Sequence, residues 1–156
     1  MANTYTQLHI HIVFAVKNRQ ALIGKTWRDA LERYMTAIIQ KYNHKLLAIY
    51  AMPDHVHILI GYNPSHLLPD LVEELKTSGN HWIKTNQFTS AFSWQRGYGA
   101  FAHSKSQVPV VINYIRNQEE HHAKKSFRSE YLEILHKNEI DYNDTYLFDF
   151  FDEIYE

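Results

Sequence analysis

Residues 52–60 constrain most of what this chain can become. Met52-Pro53-Asp54-His55-Val56-His57-Ile58-Leu59-Ile60 reads as a turn feeding a short strand, because Pro and Asp punctuate it and β-branched and apolar residues follow. Side chains alternate along a strand, so Val56, Ile58 and Ile60 face one way while His55 and His57 face the other. The apolar face calls for a core. The opposite face carries two imidazoles about 7 Å apart along the strand. Neutral imidazole is the commonest protein ligand for divalent transition metals, so the pair suits a metal. It equally suits two half-exposed strand histidines with no ion.

The alternation recurs at Leu8-His9-Ile10-His11-Ile12-Val13-Phe14, which predicts a first strand with His9 and His11 on one face. A helical stripe of Trp27, Leu31, Tyr34, Met35, Ile38 and Ile39 predicts a helix over 26–42, with Thr26 as its cap. Lys45–Met52 reads as a second strand, in a hairpin with a third at His55–Tyr62. A second helix is expected over 67–84, with Leu67, Leu68, Leu71, Leu75, Trp82 and Ile83 inward; Gly79 marks a weak point or a close contact. Residues 92–101 read as a fourth strand, 106–125 as a third helix, and a short helix follows with Tyr131, Ile134 and Leu135. The order β-α-β-β-α-β-α predicts an α+β fold: a ferredoxin-like split βαβ, antiparallel four-stranded sheet with an added C-terminal helix. First and third strands are neighbours in that architecture. His9, His11, His55 and His57 then share an open sheet face, away from the helices.

A length of 156 residues predicts one domain, with 126–156 as a helical and acidic-aromatic extension ending in Tyr142, Tyr146, Phe148, Phe150, Phe151 and Tyr155. No cysteine is present, which excludes thiolate zinc sites and disulfides and makes the cytoplasm the expected compartment. No run reaches the roughly 20 apolar residues of a membrane span, and no signal-peptide pattern opens the chain.

The formal net charge of −1 conceals an asymmetry. Residues 76–128 carry 8 Lys/Arg against 2 acids, whereas 129–156 carry 1 Lys against 9 acids. The basic middle fits a nucleic-acid partner. Lys76, Lys84, Arg96, Lys105 and Arg116 are its candidate phosphate contacts, joined by Lys124, Lys125 and Arg128. Trp94 and Tyr98 flank Arg96 on one strand face, an arrangement suited to stacking unpaired bases. The acidic end is open to three readings: packing on a dimer, masking of the basic surface, or simple solvation.

The predicted third helix contains Tyr114-Ile115-Arg116-Asn117-Gln118-Glu119-Glu120-His121-His122. Tyr114 and Gln118 are one turn apart, and His121 or His122 extends their face. A His-hydrophobic-His strand, then Trp94-Gln95-Arg96-Gly97-Tyr98-Gly99, then this tyrosine helix form an ordered set. The set resembles the single-tyrosine HUH transposases of small bacterial insertion sequences and their domesticated REP-associated relatives.

The resemblance implies that Tyr114 is the nucleophile and that His55, His57 and Gln118 ligate a divalent metal. It further implies a homodimer that cuts and rejoins single-stranded DNA bearing hairpins, through a 5′-phosphotyrosine and without ATP. A free tyrosine is only ~0.1% phenolate near pH 7, so the proposed metal would polarise the phosphate and neutralise developing charge. Two imidazoles and an amide favour Mn2+, while Mg2+ can serve through abundance. His9, His11, Asp54 and His121 are expected as supporting groups, with no dedicated general base evident. Two other readings compete: a domesticated or replication-initiator-like nickase with the same site, and a non-catalytic ferredoxin-like domain binding metal or nucleic acid.

Overall fold

The computed structural model describes residues 3–89 and 91–151; Tyr155 lies outside them. The elements are β1 (His9–Ala15), α1 (Arg28–Lys41), β2 (Lys45–Ala51), β3 (His55–Gly61), α2 (Leu68–Thr85), β4 (Gly99–His103), α3 (Val108–Arg116), α4 (Gln118–His122) and α5 (Phe127–Lys137). The strands form one antiparallel sheet in the order β2-β3-β1-β4, the α+β arrangement predicted from the element order. β1 and β3 are its central pair, with His11 opposite Leu59 and Val13 opposite His57.

Both faces of the sheet are covered. Ile12, Phe14, Val56, Ile58 and Ile60 pack against α1 and α2 through Leu31, Met35, Ile39, Leu71 and Leu75. The other face is not the open floor expected of it. Val13, Ala15 and Phe101 lie under Phe127, Tyr131, Leu135 and Phe148, while Ala48 and Leu59 lie under Val111 and Ile115. The histidine face is therefore roofed by α3, α5 and the segment after α5, and His55 and His57 are fully buried.

Several predicted boundaries move. α1 starts at Arg28 with no side-chain cap; Thr26 is exposed, while Trp27 is buried against Phe88 and Phe92 and anchors the entry. Leu67 precedes α2 and is exposed rather than inward. Gly79 is the close contact: a Cβ there would sit 3.3 Å from Met35 Cε across the α1–α2 seam. The fourth strand is shorter than 92–101. Trp94 makes a single bridge to Val16, then Gly97 turns the chain at φ 80° before β4 begins at Gly99. The third helix breaks at Asn117, whose φ of −101° and ψ of 27° separate α3 from α4.

The aromatic end folds back on its own chain. Gln95 Nε2 donates to the Val16 and Asp149 carbonyls, and the Asp149 amide donates to Gln95 Oε1 at 2.6 Å. One carboxamide thus reads the backbone at Asp149 as a neighbouring strand would. It holds Phe148 in contact with Tyr131, ring centroids 4.9 Å apart.

At Gly99 the absence of a side chain makes room for α5: an added Cβ would lie 2.6 Å from the Tyr131 hydroxyl and 2.9 Å from the Phe101 ring. Gly99→Ala is expected to destabilise the fold by about 1–3 kcal/mol through overpacking. A urea melt compared with wild type checks this; an unchanged midpoint would show that α5 does not depend on that approach.

Candidate active site

β3 presents His55 and His57 with ring centroids 5.0 Å apart. α4 adds His122, its ring 4.7 Å from that of His55. α5 adds Glu130, whose Oε1 lies 2.9 Å from His57 Nε2, 3.2 Å from His122 Nε2 and 3.5 Å from His55 Nε2. All four residues are buried, and their donor atoms lie within 4.8 Å of one another. Opposite ligands of a site with metal–nitrogen bonds of 2.0–2.1 Å are roughly 4 Å apart, so the cluster is on the scale of a coordination sphere. Phe127 lies flat on His55, centroids 3.9 Å apart and planes 3° off parallel.

The outer partners of these rings fix their protons. His55 Nδ1 is 2.7 Å from Asp54 Oδ1 and His122 Nδ1 is 2.7 Å from the Lys125 carbonyl. Both partners are acceptors, so each Nδ1 carries the proton and a neutral ring directs its Nε2 lone pair inward. Those lone pairs face a carboxylate oxygen. Such an apposition requires a cation between the groups, either a proton or a metal ion. Orientation by a carboxylate or carbonyl behind the ring is the usual arrangement for a ligating histidine. The residues therefore fit a divalent metal.

The electrostatics agree. Burial alone would depress the His55 imidazole, but Asp54 and Glu130 on its two nitrogens raise it to about 9. Burial opposes ionisation of Glu130 too, yet the surrounding imidazoles hold it well below the usual carboxylate range. His57 and His11 are pushed down, mainly by burial. His11 extends the cluster into β1, with Nε2 2.8 Å from His57 Nδ1. His9 is half-buried at the start of β1, opposite Gly61.

Tyr114 and Gln118 meet the cluster from the other side. The Tyr114 hydroxyl donates to Glu130 Oε2, and Gln118 Nε2 donates to the same oxygen at 3.2 Å. Gln118 Oε1 sits 3.4 Å from His55 Nε2. Burial, then the neighbouring Glu130 carboxylate, raise the Tyr114 phenol above its ordinary value. Of the adjacent histidines, His122 enters the cluster, whereas His121 stays partly exposed with Nε2 3.3 Å from Glu130 Oε2. Tyr114 borders two openings. A cavity of about 390 Å³ is lined by Tyr114, Asn117, Glu120, His121, Lys124 and Lys125. Another of about 330 Å³ reaches Tyr114 past His11, His103 and Val110.

The expected DNA contacts divide. Lys84, Arg96, Lys105 and Arg116 are exposed, and Tyr98 is half-buried. Lys76 is instead engaged: its Nζ donates to the Gln95 and Gly97 carbonyls at 2.9 and 2.6 Å, and partial burial lowers it to about 8. Trp94 is engaged as well, edge-on to Phe14 and Phe92, with its indole N–H on the Lys76 carbonyl. These two side chains fasten the 94–97 loop to α2.

The family model described as transposase, IS200-like, matches residues 4–118. This chain belongs to that family. The ISDra2 transposase TnpA of Deinococcus radiodurans is 35% identical over 71 residues, which are 45% of this chain and 50% of that protein. The chain thus spans about half the length of that curated relative. A crystal structure of a transposase from Deinococcus radiodurans R1 superposes with a TM-score of 0.60 at 25% identity, covering 76% of this chain and 95% of that one. The structure of a REP-associated tyrosine transposase bound to a REP hairpin also gives 0.60, at 14% identity, over 78% and 73% of the two chains. The latter likeness concerns the fold alone.

Sequence reasoning missed Glu130 and, of the two adjacent histidines on the Tyr114 face, took His121 as the supporting group, whereas His122 enters the cluster. One signal existed for Glu130: it falls in the buried stripe of α5 with Phe127, Tyr131 and Leu135. A carboxylate in an apolar stripe needs a partner. Phe127→Ala, which removes the ring under His55, is expected to cost about 3–5 kcal/mol. Urea denaturation measures it; a cost below about 1 kcal/mol would mean that the stacked ring contributes little to the roof.

Proposed function

We propose that this chain is a transposase acting on single-stranded DNA, with Tyr114 as nucleophile. The observation that carries the proposal is the convergence of Tyr114 and Gln118 on a buried cluster built around His55 and His57. Family membership supports the reaction class, and the REP hairpin bound by a protein of the same fold supports hairpin-bearing DNA as substrate.

His55, His57 and Gln118 would hold a divalent metal, Mn2+ or Mg2+, which when bound supplies Lewis-acid stabilisation of charge on the scissile phosphate. The Tyr114 oxygen attacks phosphorus as its proton leaves to water in the adjoining opening, while Glu130 Oε2 holds the hydroxyl in place beforehand. The bond from phosphorus to the 3′-oxygen breaks, giving a 5′-phosphotyrosine and a 3′-hydroxyl once that oxygen takes a proton from water. The phosphodiester energy is kept in the covalent link, so a later attack by a 3′-hydroxyl rejoins the strand without ATP. Lys124 lines the opening beside Tyr114 and would neutralise an entering phosphate. A homodimer in the cytoplasm completes the reading, supported by family membership and by the absence of cysteine. No helix among the described residues is long and apolar enough to cross a membrane.

Incubation with Mn2+ and a hairpin-bearing single strand is expected to yield a protein–DNA adduct stable to denaturant. Tyr114→Phe or a chelator should abolish it. Equal adduct from Tyr114→Phe, or none from wild type with any hairpin strand, would sink the proposal. Arg96→Ala and Lys105→Ala should each lower the slope of log K against log salt by about one, measured by fluorescence anisotropy. Unchanged slopes would remove these residues from the DNA path.

A further inference from the structure

His122 and Glu130 lie beyond residue 118, where the match to the family model ends. We propose that both are metal ligands, so that this chain holds its ion with three imidazoles and a carboxylate and selects a transition cation such as zinc over magnesium. The inference rests on the reading of His55 and His57 as metal ligands, and extends it to α4 and α5.

Three observations support the larger set. First, His122 is oriented in the same manner as His55: its Nδ1 proton is spent on the Lys125 carbonyl, and its Nε2 points at the oxygen that His57 also contacts. A core histidine with no ion to bind has no need of that convergence. Second, a buried carboxylate among three buried imidazoles is a costly way to fill space. A structural role alone would be served as well by an apolar side chain in the α5 stripe, where Phe127, Tyr131 and Leu135 already pack. Third, the two oxygens of Glu130 are divided. Oε1 faces the imidazoles, while Oε2 takes the Tyr114 hydroxyl and the Gln118 amide. One side chain can therefore ligate the ion through one oxygen and hold the nucleophile through the other.

The donor set decides the ion. Magnesium prefers oxygen ligands and keeps its water, whereas imidazole suits zinc, copper, iron and nickel. Adding His122 raises the nitrogen donors from two to three, and Glu130 supplies charge compensation. Gln118 Oε1, 3.4 Å from His55 Nε2, remains on the rim of the cluster as a further oxygen donor.

The test is zinc titration of the full wild-type chain labelled with 15N-histidine, followed by two-bond 1H–15N correlation. The Nε2 resonances of His55, His57 and His122 should move together and saturate at one equivalent. Movement of His55 and His57 with His122 unmoved would overturn the proposal and leave the two-histidine reading standing. No movement in any of the three would overturn both. In parallel, Glu130→Gln and His122→Ala should weaken zinc affinity by more than the ~10–100-fold that loss of a group behind a ligand costs, in competition with a chelating dye, and narrow the preference over magnesium. Glu133→Gln, altering an exposed carboxylate paired with Lys125 and Lys137, should bind as wild type. Wild-type zinc affinity in Glu130→Gln would overturn the carboxylate's part. Should a variant fail to fold by circular dichroism, the wild-type titration still decides for His122, and the zinc affinity of Glu130→Asp, which keeps a carboxylate but shortens it, decides for Glu130: wild-type affinity there would overturn its part.

Discussion

The structure depends on one buried carboxylate. Glu130 is almost fully shielded from water, and an ionised carboxylate in that setting is tolerable only when every lone pair is answered. A cation shared with His57 and His122 answers one oxygen; the Tyr114 hydroxyl and the Gln118 amide answer the other. Those partners come from β3, α3 and α4, so a single side chain on α5 ties together every element of the candidate site. The tie also explains why α3 and α4 are separate helices. The break at Asn117 turns the chain so that Tyr114, Gln118 and His122 can all reach the same residue.

Placing Glu130 is the work of apolar packing. Tyr131, its neighbour, presses on β4 at Gly99, and Phe127 lies against the His55 ring. Phe148 closes over both because the Gln95 carboxamide holds the Asp149 backbone. The aromatic end is therefore part of the roof, at least as far as the described residues run. The three readings its acidity left open did not include this one, since the residues that pack are the apolar ones between the acids. The same economy governs the basic stretch. Lys76 spends its ammonium on two backbone carbonyls, so charge density alone overstated the surface that remains to meet phosphate.

Local periodicity made much of this fold legible. The alternation in residues 8–14 and 55–60, the turn at Pro53-Asp54 and the helical stripes of α1 and α2 each reflect interactions between residues a few positions apart. They led directly to the sheet and to the adjacency of β1 and β3. Boundaries were less legible where an individual residue overrode the pattern: Gly97 ended an extended run early, and Trp27 anchored a helix that Thr26 was expected to cap.

The sequence by itself determined the element order, the imidazole pair on one strand face, and the tyrosine and carboxamide one turn apart. These rest on spacings of two and four residues, which the backbone enforces wherever the segment lies. Only the tertiary structure decided that the histidine face is covered, that His122 rather than His121 enters the cluster, and that Glu130 completes it. The physical reason is distance along the chain. His57 and Glu130 are 73 residues apart, and no local rule relates them. They meet because two apolar stripes and an aromatic end need the same face of one sheet.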